Sequence, residues 1–466
     1  MKALRIVWLA LLCTVCCTAQ ALGEGFALNE WSARGVSLAG GMVGRADDVS
    51  ALAYNGAGIT QLLGTHMMGG LALIAPQGSI VSRQGGQERS TFTKPALWPV
   101  PHAFASHQLN DRFWLGLGVF SRFGLGNSYD ENWVGRYNVH EVGLQTVSFV
   151  PTLAVKLNDI FSVSLGVETL YAHMHMGSKV PTMVTLPNRF DNDMRIEGSG
   201  WGVGVHTGLH MRFNDQWSVG ASYKSQITLN ITGNTDFAYE GPNVLSGPPF
   251  NQHLPYAKDC STHATLQLPD SLALGVTYRP LENLSFEVGT VWTRWSTYNA
   301  LNIYMDNGYA AINNKKWRDG WNFNASVEYK PLDWWTLRAG FSYETPVVNE
   351  NHSDYLMPTN GRQTLSLGTG MQWNNWTLDL AYAHLWINSL GYGRTDAKGI
   401  RSAGIQGGAL QRRGSQHLHV LGGLFLLNSA ICVFLCRFFS RTRHFCGATP
   451  ACAGGSCQNI GIVIVF

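Results

Sequence analysis

"WGVGVHTGLHMRF", residues 201–213, separates into two sets when alternate positions are read apart. Trp201, Val203, Val205, Thr207, Leu209, Met211 and Phe213 make one set; Gly202, Gly204, His206, Gly208, His210 and Arg212 make the other. A period of two belongs to an extended strand with two unlike faces. In a soluble sheet the apolar face turns inward, whereas in a membrane barrel it turns out to lipid. The direction of that face decides the fold class.

The pattern recurs along the chain. "WSVGASYKSQITLNITG" (217–233), "LALGVTYR" (272–279), "WNFNASVEYK" (321–330) and "WTLRAGFSYE" (335–344) all alternate. Several run past ten residues, and about 9–11 tilted residues cross a bilayer. Short turns of one form separate them: "LNDRF" (109–113), "LNDIF" (157–161), "FNDQW" (213–217), "RPLENL" (279–284), "KPLDWW" (330–335) and "WNNW" (373–376). Asn, Asp and Pro suit tight turns. Longer Gly-, Asn- and Pro-rich stretches such as 178–192 and 234–262 lie between them. Alternating short and long connections match an outer-membrane barrel. Six such turns join twelve strands, and a first strand at about 66–75 and a last one bring the expected number to fourteen.

Composition agrees. Hydrophobic residues make up 45% of the 466 and charged residues only 14%, below the usual quarter for a soluble domain. No central segment offers the roughly 18 apolar residues of a membrane helix. A formal charge of +3 argues neither for a nucleic-acid partner nor for a strongly charged one, and no nucleic acid is expected. The opening "MKALRIVWLALLCTVCCTAQA" has Lys2 and Arg5, an apolar core and small residues at Ala19 and Ala21, the form of a secretory signal peptide over 1–21. Between residues 22 and 426 the single cysteine is Cys260, so no internal disulfide framework is expected there. The expected fold is all-β: a 14-stranded antiparallel transmembrane barrel over 66–427. The competing reading is a soluble β-sandwich with these faces packed together.

Residues 22–65 lack the alternation and are rich in Gly, Ala and Ser. Phe26, Leu28, Trp31 and Leu38 give this segment apolar surface that needs cover, so it is expected to enter the lumen as a plug rather than trail as a flexible leader. Its motifs carry a resemblance. "GFALNEWSARGVSLAGG" (25–41) followed by "ADDVSALAYNGAGIT" (46–60) resembles the start of the FadL family of outer-membrane transporters of long-chain fatty acids and other hydrophobic compounds. The match falls on Gly25, Phe26, Leu28, Asn29, Glu30 and Ser32, on Ala46, Asp47 and Asp48, and on Asn55 and Ala57. "ENWVGRYNV" (131–139) and "VSFVPTLAVKLND" (147–159) resemble the family's Trp-x-Gly-Arg-Tyr loop and Pro-containing fourth strand. One position departs: Gly56 stands where the family has proline, which predicts a looser turn.

The resemblance implies a barrel plugged by an N-terminal hatch, with hatch movement at Gly25, Phe26, Leu28, Asn29, Glu30, Asn55, Gly56 and Ala57. It also implies capture in an outer apolar groove, passage to an internal pocket, and lateral exit at a kinked third strand. That strand is read as Arg112–Gly126, with Phe123, Gly124 and Gly126 at the exit. Gly116, Gly118, Gly124 and Gly126 suit either an inward bulge or crowding on the lumen face. Implied partners are long-chain fatty acids or hydrophobic hydrocarbons, outer-membrane lipid and the barrel assembly machinery, with the chain a monomer in the outer membrane.

Such a transporter needs no catalytic group, cofactor or metal. On parity Arg212, Lys224 and Arg338 face the lumen and are candidates for holding a carboxylate. His206 and His210 share a face but lie about 13 Å apart along a strand, too far for one ion. "HMHM" (173–176) reads as a strand end beside a loop. No strained G-x-S-x-G nucleophile motif is present, so an enzyme is not expected. The alternative function is a general diffusion porin, with an open lumen for small polar solutes.

After about residue 395 the patterning fails. "RGSQHLHVLGGLFLL" (413–427) can hold the last strand, while residues 428–466 hold Cys432, Cys436, Cys446, Cys452 and Cys457 and read as an atypical, frameshift-like tail. A second reading closes the barrel at the terminal "GIVIVF" (461–466).

Overall fold

Strands form wherever the sequence alternates. The computed structural model describes residues 25–84, 87–181, 191–239, 258–349, 352–356, 360–388 and 416–423. The expected signal peptide, the tail at 428–466 and the "GIVIVF" alternative lie outside these residues. The first strands in chain order are β1 (Thr65–Gln77), β2 (Ser79–Gln84), β3 (Gln87–Phe92), β4 (Trp98–Gln108), β5 (Phe113–Phe120), β6 (Gly124–Ser128) and β7 (Glu141–Lys156). Next come β8 (Phe161–Pro181), β9 (Asp191–Arg212), β10 (Trp217–Lys224), β11 (Ile227–Tyr239), β12 (Cys260–Leu268), β13 (Ser271–Leu281) and β14 (Leu284–Thr293). The last are β15 (Ala300–Met305), β16 (Ala310–Asn314), β17 (Gly320–Leu332), β18 (Trp335–Glu344), β19 (Arg362–Trp373), β20 (Trp376–Ile387) and β21 (Gln416–Gly423).

All but β2 and β3 join one antiparallel sheet; those two form a separate ribbon. Each of the six short turns found in the sequence joins two neighbouring strands. The first strand pairs with β4 along one edge and with β21 along the other, Leu71 facing Gly423 and Gln77 facing His417. The stretches 178–192 and 234–262, expected as connections, are strand at both ends. The β8–β9 ladder continues to Val180–Asn192 and Pro181–Asp191, beyond the greasy part of the pattern. A ladder needs only backbone partners, so polar strands extend past the membrane level. "HMHM" likewise lies within β8: Met174 and Met176 are buried, while His173 and His175 turn to the opposite face.

The opening question is answered on β9. Trp201 and Val203 are 58% and 65% exposed and Val205 is also exposed, while Gly202, Gly204, His206, Gly208 and His210 are buried. The same holds for Leu115 and Leu117 on β5, Leu165 and Val167 on β8, and Leu365 and Leu367 on β19. An apolar face this large, turned out all along a sheet, needs lipid against it. From Trp201 to Phe213 the strand advances about 30 Å across the membrane at ~3.3 Å per residue and ~40° tilt, close to the apolar band of such barrels. Exposed Phe213, Trp217, Trp334, Trp373 and Trp376 gather at the short-turn end, where aromatic rings bridge hydrocarbon and water.

The face opposite the lipid is covered by the N-terminal segment. It contains two short helices, α1 (Ala33–Ser37) and α2 (Ala51–Tyr54), and a 3-10 turn at Gly56–Gln61. Ser32 caps α1 by accepting from the Gly35 N–H. Glycines let the segment lie directly on the strands: a Cβ at Gly220 would overlap the Val43 carbonyl oxygen, and one at Gly340 would reach the Leu38 backbone at 2.5 Å. Gly56 begins the 3-10 turn without a left-handed φ, and the Asn55 side chain fixes the turn. Asn55 donates to the Val43 and Leu209 carbonyls, both at 3.0 Å, and accepts from Ala57 N–H.

A buried ionic cluster ties the segment to the wall near the short turns. Glu287 of β14 accepts N–H bonds from Val43, Gly44 and Arg45 at 2.8, 3.0 and 2.8 Å. Glu328 of β17 meets Arg34 at 2.9 Å, Arg45 at 3.2 Å and Arg338 at 2.6 Å. Arg34 also pairs with Asp47 and Asp48, and Arg338 with Asp379.

Two outcomes follow. Val205→Arg, placed in mid-band, is expected to cost about 2–4 kcal/mol of unfolding free energy in lipid vesicles; a neutral result in a denaturant titration would mean that this face is not in lipid. Glu287→Ala leaves three buried N–H groups without their acceptor and removes one of Arg45's two carboxylate neighbours, and is expected to cost about 3–5 kcal/mol, with Glu287→Gln milder. Equal midpoints for wild type and Glu287→Ala would show that this carboxylate does not hold the segment.

Candidate functional site

The third wall strand does not continue unbroken. It stops at Phe120 and resumes at Gly124, and both halves pair with β7. At the break, Thr146 of β7 substitutes its side chain for ladder partners. Its hydroxyl donates to the Phe123 carbonyl at 2.6 Å and accepts from the Phe123 N–H at 3.3 Å. The N-terminal segment supplies the rest: Leu28 N–H donates to the Arg122 carbonyl at 2.8 Å, Gly124 N–H donates to the Phe26 carbonyl at 3.0 Å, and Ala27 bridges Phe123. The break is thus a three-residue insertion of the N-terminal segment into the wall's hydrogen bonding.

On its other side the wall is open. The β4–β5 ladder runs from Ala103–Val119 to Gln108–Trp114, and among the described residues no ladder joins Trp98–His102 to β6. The local sequence is Trp98-Pro99-Val100-Pro101. Pro99 and Pro101 share a parity, so both withhold an N–H from the same edge of β4. Proline at alternate positions of a strand is the sequence signal for this edge, and sequence reasoning passed over it.

A cavity of about 410 Å³ lies at this opening. Gly25, Phe26, Ala27 and Leu28 form one side of it, Trp98–Pro101 and Gly124–Asn127 the other. Glu30 and Arg362 are its charged lining. Burial raises the Glu30 carboxyl above its ordinary range against the opposing pull of Arg362, and Arg362 is itself paired with Glu344. Three of the four glycines of the third strand serve close approach: a Cβ at Gly116 would overlap Leu52, one at Gly124 would meet Leu28 at 2.9 Å, and one at Gly126 would overlap Trp98. The kink therefore sits at Ser121–Phe123, between the glycines.

A second cavity, about 560 Å³, lies toward the long connections and is lined by Met176, Met194, Phe237, Leu301, Ile303 and Leu356 among others. A small pocket between the two shares Met176, Leu301 and Leu356 with the outer cavity and Phe26, Leu125 and Leu144 with the wall cavity. The Phe26 ring stands at that junction. It makes edge-on contacts with Trp295, Tyr298, Trp317 and Phe123, all of them buried.

Behind the break is a buried polar group. Arg122 donates to Glu168 at 2.5 Å, and Glu168 also meets His206 at 2.7 Å and the Ser148 hydroxyl at 2.6 Å. His210 instead contacts the Gly44 carbonyl. Trp31 donates its indole N–H to the Ser121 carbonyl at 2.7 Å.

The three basic candidates share a parity but not a site. Lys224 lines a cavity beside Asn29 and Glu30, with its ammonium 3.7 Å from the Trp31 ring centre. Arg212 ends β9 in an exposed turn and pairs with Asp215 at 2.9 Å. Arg338 belongs to the ionic cluster, in the charged vestibule at the short-turn end. Of the expected hatch and exit residues, Gly25, Phe26, Leu28, Glu30, Phe123, Gly124 and Gly126 converge on the wall cavity, Asn29 faces the neighbouring one, and Asn55, Gly56 and Ala57 lie in the turn against β8 and β9. Sequence reasoning missed Trp295, Tyr298 and Trp317, which sit outside the alternating strands, and Arg122, whose partners are remote in sequence.

This architecture has known counterparts. The family described as outer membrane protein transport protein (OMPP1/FadL/TodX) matches residues 14–422. A long-chain fatty acid transport protein of Escherichia coli is 25% identical over 381 residues, covering 76% of this chain and 85% of that protein. Among solved structures, a Pseudomonas aeruginosa FadL homologue superposes with a TM-score of 0.75 at 19% identity, covering 86% of this chain and 99% of its own. The Ralstonia pickettii toluene transporter TbuX gives 0.61 at 14% identity, with the same coverage. The chain therefore belongs to the OMPP1/FadL/TodX family of outer-membrane transport proteins.

Proposed function

We propose that this chain is an uptake channel that carries hydrophobic molecules, long-chain fatty acids or hydrocarbons, from outside the cell into the outer membrane. Each interrupted strand is one pass of the wall: β5 with β6, β10 with β11, β12 with β13, β14 with β15, and β16 with β17. With the β2–β3 ribbon set aside, this makes a fourteen-stranded barrel, and the N-terminal segment is its hatch. Cargo enters the outer cavity along its Met176, Met194, Leu301 and Ile303 side, passes the junction at Phe26, reaches the wall cavity and leaves sideways between β4 and β6.

The single observation that carries this reading is the 410 Å³ cavity at an edge of β4 that prolines keep unpaired. Backbone without ladder partners is tolerated at membrane depth only where protein or a cavity lies against it. The way down to the short-turn end is obstructed by the ionic cluster, whose buried pairs are costly to break. Sideways exit requires only that Phe26–Leu28 give up their few bonds to the break. An apolar molecule leaving there passes into lipid without meeting water, which suits cargo that water excludes. Of the three basic candidates, Lys224, in the cavity beside Asn29 and Glu30, is the one left for a polar head, since Arg212 lies in an exposed turn and Arg338 in the ionic cluster.

Uptake of labelled oleate and of labelled toluene is the test, in cells lacking their own transporter and expressing the full chain. Entry of either cargo well above the empty-vector level, lost when residues 22–57 are deleted, is the expected result. Leakage of small sugars through the intact chain, with neither hydrophobic cargo entering, would make it a diffusion porin instead.

A further inference from the structure

Of the stretch His173–Met176, the lumen cavities use the two methionines and leave the two histidines unassigned. Successive residues of β8 point to opposite faces, so Met174 and Met176 are buried while His173 and His175 turn outward together. One step nearer the membrane, Tyr171 of β8 faces Trp201 of β9 across the ladder, with ring centres 4.9 Å apart. Trp201 opens the lipid-facing series of β9, so this ring pair marks the outer boundary of the hydrocarbon. The imidazoles begin where that apolar face ends, on wall that water reaches.

Carboxylates flank the pair. Glu197 of β9 lies directly across the ladder from His175, and its carboxylate comes within 3.5 Å of the His173 Nε2. Glu141 of β7 comes within 3.8 Å of the His175 Nε2. The histidine side chains are 32% and 29% exposed, enough for an ion to reach them from solution. Arg195, the cation nearest on this face, is engaged by Asp193 at 2.8 Å. His175 lies over Gly143 of β7, where a Cβ would overlap its ring, so no side chain wedges it on that side. The two ring centres are 6.3 Å apart. Two imidazoles on one tetrahedral ion, each ~2.0–2.1 Å from it through nitrogen, hold their centres about 5 Å apart. Closing the difference takes about 1 Å of movement, which small χ rotations of half-exposed side chains supply. As the side chains stand, no three such groups among the described residues meet at one point, so the ion itself draws the donors together.

We infer that His173 and His175, with Glu197, bind a divalent transition-metal ion at the outer rim of the wall. Strand parity decides the donor set: both methionine sulfurs face the lumen, which leaves imidazole nitrogen and carboxylate oxygen, a combination that suits Zn²⁺, Ni²⁺ or Cu²⁺. Spacing decides the place. His206 and His210 are too far apart for one ion, whereas residues two apart on a strand are separated by only about 7 Å at Cα and can converge at their tips. With ligands from neighbouring strands, the ion is a clamp across the β8–β9 ladder, which runs on above the lipid to Val180–Asn192. The site lies outside the lumen, so the inference stands apart from the transport reading.

The test is a Zn²⁺ titration of the purified full-length chain in micelles, free of any oligohistidine tag, in competition with a chromogenic chelator. Saturation at one ion per chain is expected, with affinity lowered about tenfold or more by His173→Ala and by His175→Ala. Glu197→Gln is expected to lower it about threefold, while His263→Ala, which removes an exposed histidine stacked on Tyr304 of another strand, leaves it unchanged. Equal affinity in wild type and the His173→Ala, His175→Ala double variant would overturn the inference. Electron paramagnetic resonance of bound Cu²⁺ decides the ligands directly: coupling to two nitrogens in wild type, and to one in each single variant, is the expected spectrum. A wild-type spectrum without two-nitrogen coupling would overturn the site whatever the variants do. Zn²⁺ is also expected to raise the thermal unfolding midpoint of wild type and not of the double variant; a rise of equal size in both would count against the clamp.

Discussion

The constraint on which the structure depends is that no backbone N–H or C=O at membrane depth goes without a partner. A sheet meets it by ladder pairing, and a wall with an opening must meet it another way. Here the third strand breaks at Ser121–Phe123, and the partners come from Thr146 and from Phe26–Leu28. On the facing strand Pro99 and Pro101 lower the demand by having no N–H to satisfy. The opening is thus stabilised by an element that is not part of the wall. Removing that element changes the wall's own hydrogen bonding, which couples the N-terminal segment to the opening without any distant relay.

The segment is held unevenly. Near the short turns, Arg34, Arg45, Asp47 and Asp48 meet Glu287, Glu328 and Arg338 in a largely buried cluster. Such groups are costly to separate because each would be left charged in a poor solvent. At the other end, Gly25–Leu28 contribute two backbone bonds, which together make the Ala27–Phe123 bridge, and ring contacts. Net hydrogen bonds are worth about 0.5–1.5 kcal/mol each, and aromatic pairs a similar amount beyond their burial. The two ends therefore differ by several kcal/mol in what it takes to release them. On the proposed route only the weaker end has to move, and the stronger end keeps the lumen filled while it does.

Much of this was legible before any coordinates. The alternation at 201–213 fixed the faces because a strand has no other way to use period two, and the Asn-Asp and Pro-Leu turns marked the hairpins. Parity also placed His206, His210 and Lys224 correctly on the buried face. What parity cannot convey is height along the strand. Arg212 and Lys224 share a face, yet one ends in a solvent-exposed turn and the other beside Trp31. The extent of the strands was underestimated at 178–192, since the greasy pattern stops where lipid stops and the ladder does not. The ring cluster around Phe26 left no trace, because Trp295, Tyr298 and Trp317 come from irregular segments joined only in three dimensions. At Gly56 the sequence does not convey that the turn is also bonded through the Asn55 side chain, whose partners at Val43 and Leu209 are brought to it by the fold.

Placing Phe26 at the junction gives one residue two duties that pull in the same direction. Its carbonyl supports the broken strand through Gly124, and its ring fills the passage between the cavities. On the proposed route, a molecule that displaces the ring also pulls on the short run of backbone that carries it, at Gly25, whose φ is +43° and where a Cβ would overlap Trp295. Occupation of the passage and loosening of the wall bonds are then parts of one event. A ligand can shift such an equilibrium only by the difference in its affinity for the two states. A molecule too polar to leave water, or too small to replace the ring's contacts, gains nothing by entering and leaves the wall closed. On the proposed route, selectivity for hydrophobic cargo needs no separate filter, because the free energy that opens the wall is the free energy of replacing Phe26.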